Sequence, residues 1–200
     1  MEWKCRKLAI SDCNQIVRIH KLAFANFFLT QLGTFFLNTY YRSSIKNENC
    51  IAVGVFSENN LLGFAIGTIM SKGYHSILLK QNFFAFLLCA ITILLTRPNA
   101  LLRLKNNMDK VVNPDDNGNY AELLSIGLDP VCSGIGIGSE LMKEFERKVH
   151  LMNGKTITLT TDKNNNEDVI AFYTKRGYVL FYEFLAYPNR KMLKLIKNIR

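Results

Sequence analysis

The segment Ser133-Gly134-Ile135-Gly136-Ile137-Gly138-Ser139 places three glycines at alternate positions. It follows a β-prone run, residues 121–128, and opens a run of helical spacing, residues 136–152, in which Leu141, Met142, Phe145 and Val149 share a side. Glycines at a strand-to-helix turn let backbone N–H groups approach a ligand closely. The helix start adds unpaired donors and a partial positive charge. That chemistry suits an anion, most naturally a phosphate or pyrophosphate; a tight turn without a ligand is the plainer alternative. The spacing is not the Gly-x-x-x-x-Gly-Lys-Ser/Thr of a P-loop. It is Gly-x-Gly-x-Gly and not the Gly-x-Gly-x-x-Gly dinucleotide fingerprint. It also lies two-thirds along the chain, too late for two mononucleotide-binding halves to follow.

Other reactive side chains are few. Glu122 is an acid inside an apolar strand and a candidate general base; a solvent-facing carboxylate, or one paired with a basic neighbour, is the alternative. His20, His75 and His150 lack a metal-ligand neighbour three or four residues on, so no metal site is expected. The cysteines Cys5, Cys13, Cys50, Cys89 and Cys132 are odd in number and contain no Cys-x-x-Cys pair. A disulfide framework is not expected, which favours a reducing cytoplasm. No cysteine has an activating base nearby in sequence, and none is assigned a catalytic role. The opening Met-Glu-Trp-Lys-Cys-Arg-Lys does not read as a signal peptide, and none is expected.

These groups need elements to hold them. The chain has 200 residues, 48% hydrophobic and 20% charged, a globular balance that excludes disorder as the main state. Residues 4–10 read as a strand, and Ser11-Asp12 as the N-cap of a helix carrying Ile16, Ile19, Leu22 and Ala23. Residues 29–45 read as one amphipathic helix. Residues 50–56 and 61–70 form a hairpin through Asn59-Asn60. Residues 77–95 read as one helix, broken at Arg97-Pro98, with a short helix following to about Asn106. Residues 113–119 are turn chemistry. Strands at 121–128, 156–161, 178–187 and 191–196 enclose helices at 136–152 and 166–176. The alternation gives an α/β architecture.

Charge is unevenly spread. Lys plus Arg exceed Asp plus Glu by 25 to 16, giving +9 and pointing to an anionic partner. There is no Asp or Glu between Asn14 and Asn47, nor between Asn59 and Met108. Residues 83–95 are apolar except Thr92, and fall short of the roughly 20 residues that a membrane span needs. A buried helix, or one lying on a membrane surface, fits them.

Two blocks carry a family resemblance. Ala121-Glu122-Leu123-Leu124-Ser125-Ile126-Gly127-Leu128-Asp129-Pro130, followed by Gly134 to Leu141, is similar to motif A of the GNAT N-acetyltransferases. Ser133 occupies the position usually held by Gln or Arg, and Ile135 one that is frequently basic. Asn166-Glu167-Asp168-Val169-Ile170-Ala171-Phe172-Tyr173, running on to Gly177-Tyr178, resembles motif B, with Val169 where Ala is common. Together the motifs cover about 60 residues.

The resemblance implies a mixed, mostly antiparallel sheet of about seven strands flanked by helices, with a helical insertion around residues 76–107. It implies a single domain over residues 1–200. Within it, 1–75 form the acceptor side and first strands, 76–118 the insertion and loop, and 119–200 the CoA-binding core and last strands. Acetyl-CoA is the implied co-substrate, held in a gap between the fourth and fifth strands, without a metal. Ile126, Gly127 and Leu128 would lend backbone groups to the pantetheine arm. The amides of Gly134, Ile135, Gly136, Ile137, Gly138 and Ser139, with Ser133, would cradle the pyrophosphate. Asn166 would contact the pantetheine. Tyr173 would protonate the departing thiolate and Glu122 would take the amine proton. A neutral amine would attack the thioester directly.

His20 and His75 are further acceptor-side candidates by this resemblance. The aromatic N-terminal helices and the insertion look like a subgroup from bacterial surface-polysaccharide clusters, implying a small-molecule amine, such as a nucleotide-linked amino sugar, in the cytoplasm. A catalytically silent CoA-binding module and a protein or peptide N-acetyltransferase are the alternatives. No nucleic-acid motif accompanies the positive charge. Peripheral membrane contact through the basic, apolar insertion, and a homodimer, are compatible with the reading.

Overall fold

The computed structural model describes residues 2–97, 116–186 and 189–199. Seven strands form one sheet: β1 (Lys4–Lys7), β2 (Cys50–Ser57), β3 (Asn60–Thr68), β4 (Ala121–Leu128), β5 (Thr156–Asp162), β6 (Val179–Ala186) and β7 (Arg190–Asn198). Their spatial order is β1-β2-β3-β4-β5-β7-β6. All neighbours are antiparallel except β4 and β5. This is the mixed, mostly antiparallel sheet that the resemblance implied.

Helices cover both faces. On one lies α6 (Ile137–Leu151), whose Leu141, Met142, Phe145 and Val149 pack against Val53, Val55, Ala65 and Leu159. On the other lie α1 (Cys13–Ala23), α3 (Thr34–Lys46) and α4 (Tyr74–Gln81), whose Ile16, Ile19, Leu37 and Tyr41 meet Ala52, Phe64 and Ile66. β2 and β3 are therefore covered on both faces, which is why they read as continuous apolar runs and do not alternate.

Two long helices expected from the sequence are each broken. Residues 29–45 divide into α2 (Phe28–Gln31) and α3, because Gly33 adopts φ +95°. Only glycine takes that backbone cheaply, so it ends one helix and starts the next. Residues 77–95 divide into α4 and α5 (Phe83–Thr96), bent by 91° at Asn82. Periodicity missed this break because apolar residues resume directly after the three polar residues Lys80-Gln81-Asn82, a stretch short enough to read as one polar turn of a continuous helix. The first strand is also shorter than expected, since residues Ile10–Asp12 form a 3-10 turn. Asp12 sits at the start of α1, yet its carboxylate bonds back to Arg6 and to the Ala9 N–H (2.8 Å) and does not cap the helix. The short helix expected after Pro98 lies outside the described residues, as does the remainder of the expected insertion up to residue 107.

Candidate active site at the split between β4 and β5

The parallel pairing of β4 with β5 lasts three residues, Ala121 to Leu123 against Ile157 to Leu159. On its other edge β4 carries one extra residue: Ser125 faces Ile66 and Leu123 faces Gly67, leaving Leu124 opposite nothing. Such a bulge bends the strand that holds it. Beyond it, Ser125 to Leu128 stay paired with β3 and part from β5. β5 continues against β7. The peptide groups along the parted edge of β4 are thus left without a strand partner.

A cleft of about 860 Å³ opens at this split. Leu124, Ser125, Ile126 and Leu128 form one side, and Thr160, Thr161, Asp162, Phe172 and Tyr173 the other. Phe24, Phe27 and Phe28 close it from the N-terminal helices. The rim holds Ser133, Gly134, Gly136, Gly138 and Ser139.

The rim is built for an anion. Asp129 accepts the Val131 N–H and starts the 3-10 turn Pro130–Cys132, which carries the chain off β4. Gly134 (φ +79°) and Gly136 (φ +97°) then take left-handed backbone, and a Cβ on either would meet nothing within 4 Å. The glycines are thus needed for conformation, and the space beside them is open. Among the described residues, the N–H groups from Gly134 to Gly138 have no backbone acceptor, whereas Ser139 N–H bonds Gly136 O. Converging free donors at the start of a fifteen-residue helix are the arrangement that holds a phosphate. Of the remaining expected contacts, Gly127 lies on the parted stretch of β4, where a Cβ would come within 3.1 Å of Phe64 and 3.3 Å of Phe24, while Ile137 is buried in the core.

α7 (Glu167–Thr174) supplies the opposite wall. Asn166 precedes it and donates to Thr161 Oγ1 (2.7 Å) and the Asp162 carbonyl (2.9 Å), tying the helix to the end of β5. Tyr173 lines the cleft, and its hydroxyl has no hydrogen-bond partner among the described residues. Burial pushes its pKa up to about 12, with nearby Arg176 opposing. The phenol is therefore a proton-bearing donor at neutral pH.

Glu122 is not part of the cleft wall. It lies where β4 still pairs with both neighbours, opposite Thr68 and Thr158, before the split begins. Its carboxylate accepts from Lys194 Nζ (2.9 Å) and from the Ser71 hydroxyl. Lys194, itself buried, also lies 4.9 Å from the Tyr120 ring centroid. Tyr120 and Tyr182 both donate to Asp116, at 2.6 and 2.5 Å. Glu122 thus belongs to a polar cluster beside the cleft, the basic-neighbour alternative noted from sequence.

His20 does line the cleft. Its Nδ1 is 2.6 Å from Tyr41 Oη, which is 3.2 Å from Ser125 Oγ at the β4 bulge. Its Nε2 is buried without a hydrogen-bond partner among the described residues. Burial lowers its pKa to about 4, so the ring is neutral at physiological pH. His75 and His150 are exposed on α4 and α6, away from the cleft walls.

Sequence reasoning missed two groups. Arg176 donates to Ser139 Oγ and to the Phe172 carbonyl, and its guanidinium stacks on the Phe172 ring at 3.7 Å. It brings to the rim the positive charge that Ser133 and Ile135 do not supply. The absence of a base in the first motif was the signal to look for one beside the second. Arg190 lines the cleft too, bidentate on Asp162 and 4.9 Å from the Phe27 ring centroid. Nothing local in the sequence marked that pair.

The sequence profile described as the acetyltransferase (GNAT) family matches residues 14–178. No curated protein matches significantly in sequence. Among solved structures, a ribosomal-protein-alanine N-acetyltransferase from Brucella melitensis superposes with a TM-score of 0.66 at 12% identity, over 98% of this chain and 99% of its own. An aminoglycoside 6'-acetyltransferase type Ii gives 0.63 at 16%, over 98% and 97%. The PaiA N-acetyltransferase from Thermoplasma acidophilum, in complex with coenzyme A, gives 0.55 at 16%, with both chains fully covered. At these identities the likeness speaks for the fold.

Proposed function

The chain belongs to the GNAT acetyltransferase family, and we propose that it transfers the acetyl group of acetyl-CoA to the primary amine of a small molecule, such as a nucleotide-linked amino sugar. One observation carries the catalytic part of this reading: the β4–β5 split, the free N–H groups of Gly134 to Gly138 and the unpartnered Tyr173 hydroxyl open into one cleft.

The pyrophosphate fits the glycine rim, where donors converge, space is open and Arg176 adds charge. The pantetheine amides fit the parted edge of β4, from Ile126 to Leu128, with Asn166 across from them. The thioester then lies deep in the split, between Ser125 and Tyr173. An incoming amine, neutral when it attacks, adds to the carbonyl carbon. Its C–N bond forms as the C–S bond breaks, the amine gives up one proton and the sulfur leaves as thiolate.

The Tyr173 hydroxyl donates to that sulfur. Full transfer from a phenol at about 12 to an ordinary thiolate, pKa about 8.5, is uphill. Its main contribution is therefore a hydrogen bond to charge that develops in the transition state.

The amine proton has two routes. Glu122 could take it, on the opposite side of the β4 bulge from the rim, once its pairing with Lys194 is relaxed. The second route is favoured by the His20–Tyr41–Ser125 line, which already touches the cleft and ends in an unpartnered ring nitrogen.

Support for a small acceptor comes from the N-terminal wall. Phe24 and Phe27 line the cleft on that side, and across it Asp168 offers a carboxylate to an ammonium group, the Asp162 carboxylate being held by Arg190. The named acceptors of the solved relatives range from a ribosomal protein to an aminoglycoside, so the fold leaves the acceptor class open. The five cysteines are all free, which suits the cytoplasm. Mass spectrometry of the products from acetyl-CoA and a panel of amino sugars, nucleotide amino sugars, polyamines and peptides tests the reading. An acetylated sugar amine is expected. Acetylated peptide alone would move the acceptor to proteins, and CoA binding without any product would mark a silent module.

A further inference from the structure

We propose that α5 and the adjoining α4 form a docking face for an anionic bilayer surface, on which the helix lies flat. α5 has two unlike sides. Phe86, Cys89 and Ile93 turn inward, with the Phe86 ring 6.1 Å from that of Phe36 on α3 and Ile93 packed on Leu32. Phe84, Leu87, Leu88, Ile91 and Leu95 turn outward. Phe84 and Leu95 are 80% and 79% exposed, although they are among the most apolar side chains of the chain. Their spacing of three, four, four and eleven residues forms a single outward stripe along the helix. An exposed stripe of that length marks an interaction surface.

Charge selects the occupant. The sequence from Asn59 to Met108 contains no Asp or Glu, while Lys72 and Lys80 precede the stripe along the chain and Arg97 follows it, all three exposed. Two copies of this chain meeting here would bring cations onto cations, in a protein already at +9. A surface of anionic headgroups above acyl chains meets both the cations and the apolar stripe. Among the described residues no single helix is long and apolar enough to cross a membrane: α5 has fourteen residues, about 21 Å of helix, and α4 meets it at a 91° bend.

The placement has a consequence for access. The inner side of α5 packs on Leu32, in the same cluster as Phe28 and Leu29, which line the cleft. A docked α5 would hold that wall, and hence the cleft, close to the membrane surface. The docking itself does not depend on which amine is acetylated.

Flotation of the full chain with vesicles tests this directly. Vesicles of phosphatidylcholine with phosphatidylglycerol should carry the protein upward, and vesicles of phosphatidylcholine alone should carry far less. Raising the salt should weaken the association. The double variant Phe84→Glu/Leu95→Glu should lower partitioning by about tenfold or more, with thiol release from acetyl-CoA unchanged, since neither side chain supports the core. Lys72→Glu/Lys80→Glu should remove the preference for the anionic lipid. Absence of the wild type from both vesicle types would overturn the proposal. So would undiminished flotation of Phe84→Glu/Leu95→Glu, or a wild-type dimer in sedimentation that this variant dissolves.

Discussion

The two walls of the cleft are made by different means. The wall from β4 to α6 is backbone: a bulge at Leu124, a split after Leu123, and a turn whose free N–H groups depend on Gly134 and Gly136. The wall from α1 and α2 is side chain: Phe24, Phe27, Phe28 and His20, held by contacts with α3, α5 and β7. The first can hold a part shared by many reactions. The second can change its acceptor by changing residues, without touching the fold. Loss of function should therefore follow geometry on one wall and chemistry on the other.

The sharpest effect within the bound complex should come from Tyr173 on α7, which lines the cleft across the split from the backbone wall. Tyr173→Phe should lower kcat by roughly 10–1000-fold and leave CoA affinity nearly unchanged, because only the donor to the sulfur is lost. Single-turnover kinetics beside a CoA titration separates the two. An equal fall in affinity and rate would give Tyr173 a packing role only.

Glu122 and His20 test which side of the site carries the proton. If Glu122 accepts it, Glu122→Gln should cut kcat/KM by about 10–100-fold near neutral pH. Raising the pH should then restore part of the loss, as more of the amine is already neutral. Full activity of Glu122→Gln across the pH range, with the loss appearing in His20→Asn, would assign the step to the side-chain wall.

A smaller effect appears in stability. His20 titrates at about 4 in the folded protein because of its burial, against 6.5 unperturbed. The unfolded chain therefore binds more protons in between, so stability from this group is full above about 6.5 and declines as pH falls towards 4. Thermal unfolding of wild type should show this acid limb, and His20→Asn should flatten it. Parallel curves for the two would place the ring in solvent.

The backbone wall was legible in the sequence because its information is local. Alternating glycines after a β-prone run specify the turn, and the strand Ala121–Leu128 has the bounds that its composition indicates. Asn166 to Tyr173 likewise gives α7 and its position beside the gap. The other wall was legible only in part: the first helix, His20 and the aromatic residues were marked, their breaks and partners were not. Apolar residues resume on both sides of Gly33 and of Lys80-Gln81-Asn82, so periodicity runs two helices into one at each place. The pairings of Glu122 with Lys194, of His20 with Tyr41 and of Arg190 with Asp162 join residues 72, 21 and 28 positions apart. No local pattern encodes them. The Leu124 bulge was hidden for the same reason, since a bulge is defined by the register of the strand opposite.

The central claim is that acetyl-CoA is held by the backbone of the β4–α6 turn. Thermal unfolding with increasing acetyl-CoA, on wild type and on Gly136→Asp, tests it most directly. Saturating ligand at about a hundred times its Kd should stabilise wild type by about 2.7 kcal/mol. Gly136→Asp should fold but show no such shift, because its carboxylate would occupy the open space beside φ +97° and repel the pyrophosphate. An undiminished shift in a folded Gly136→Asp protein would contradict the account and place the CoA site elsewhere.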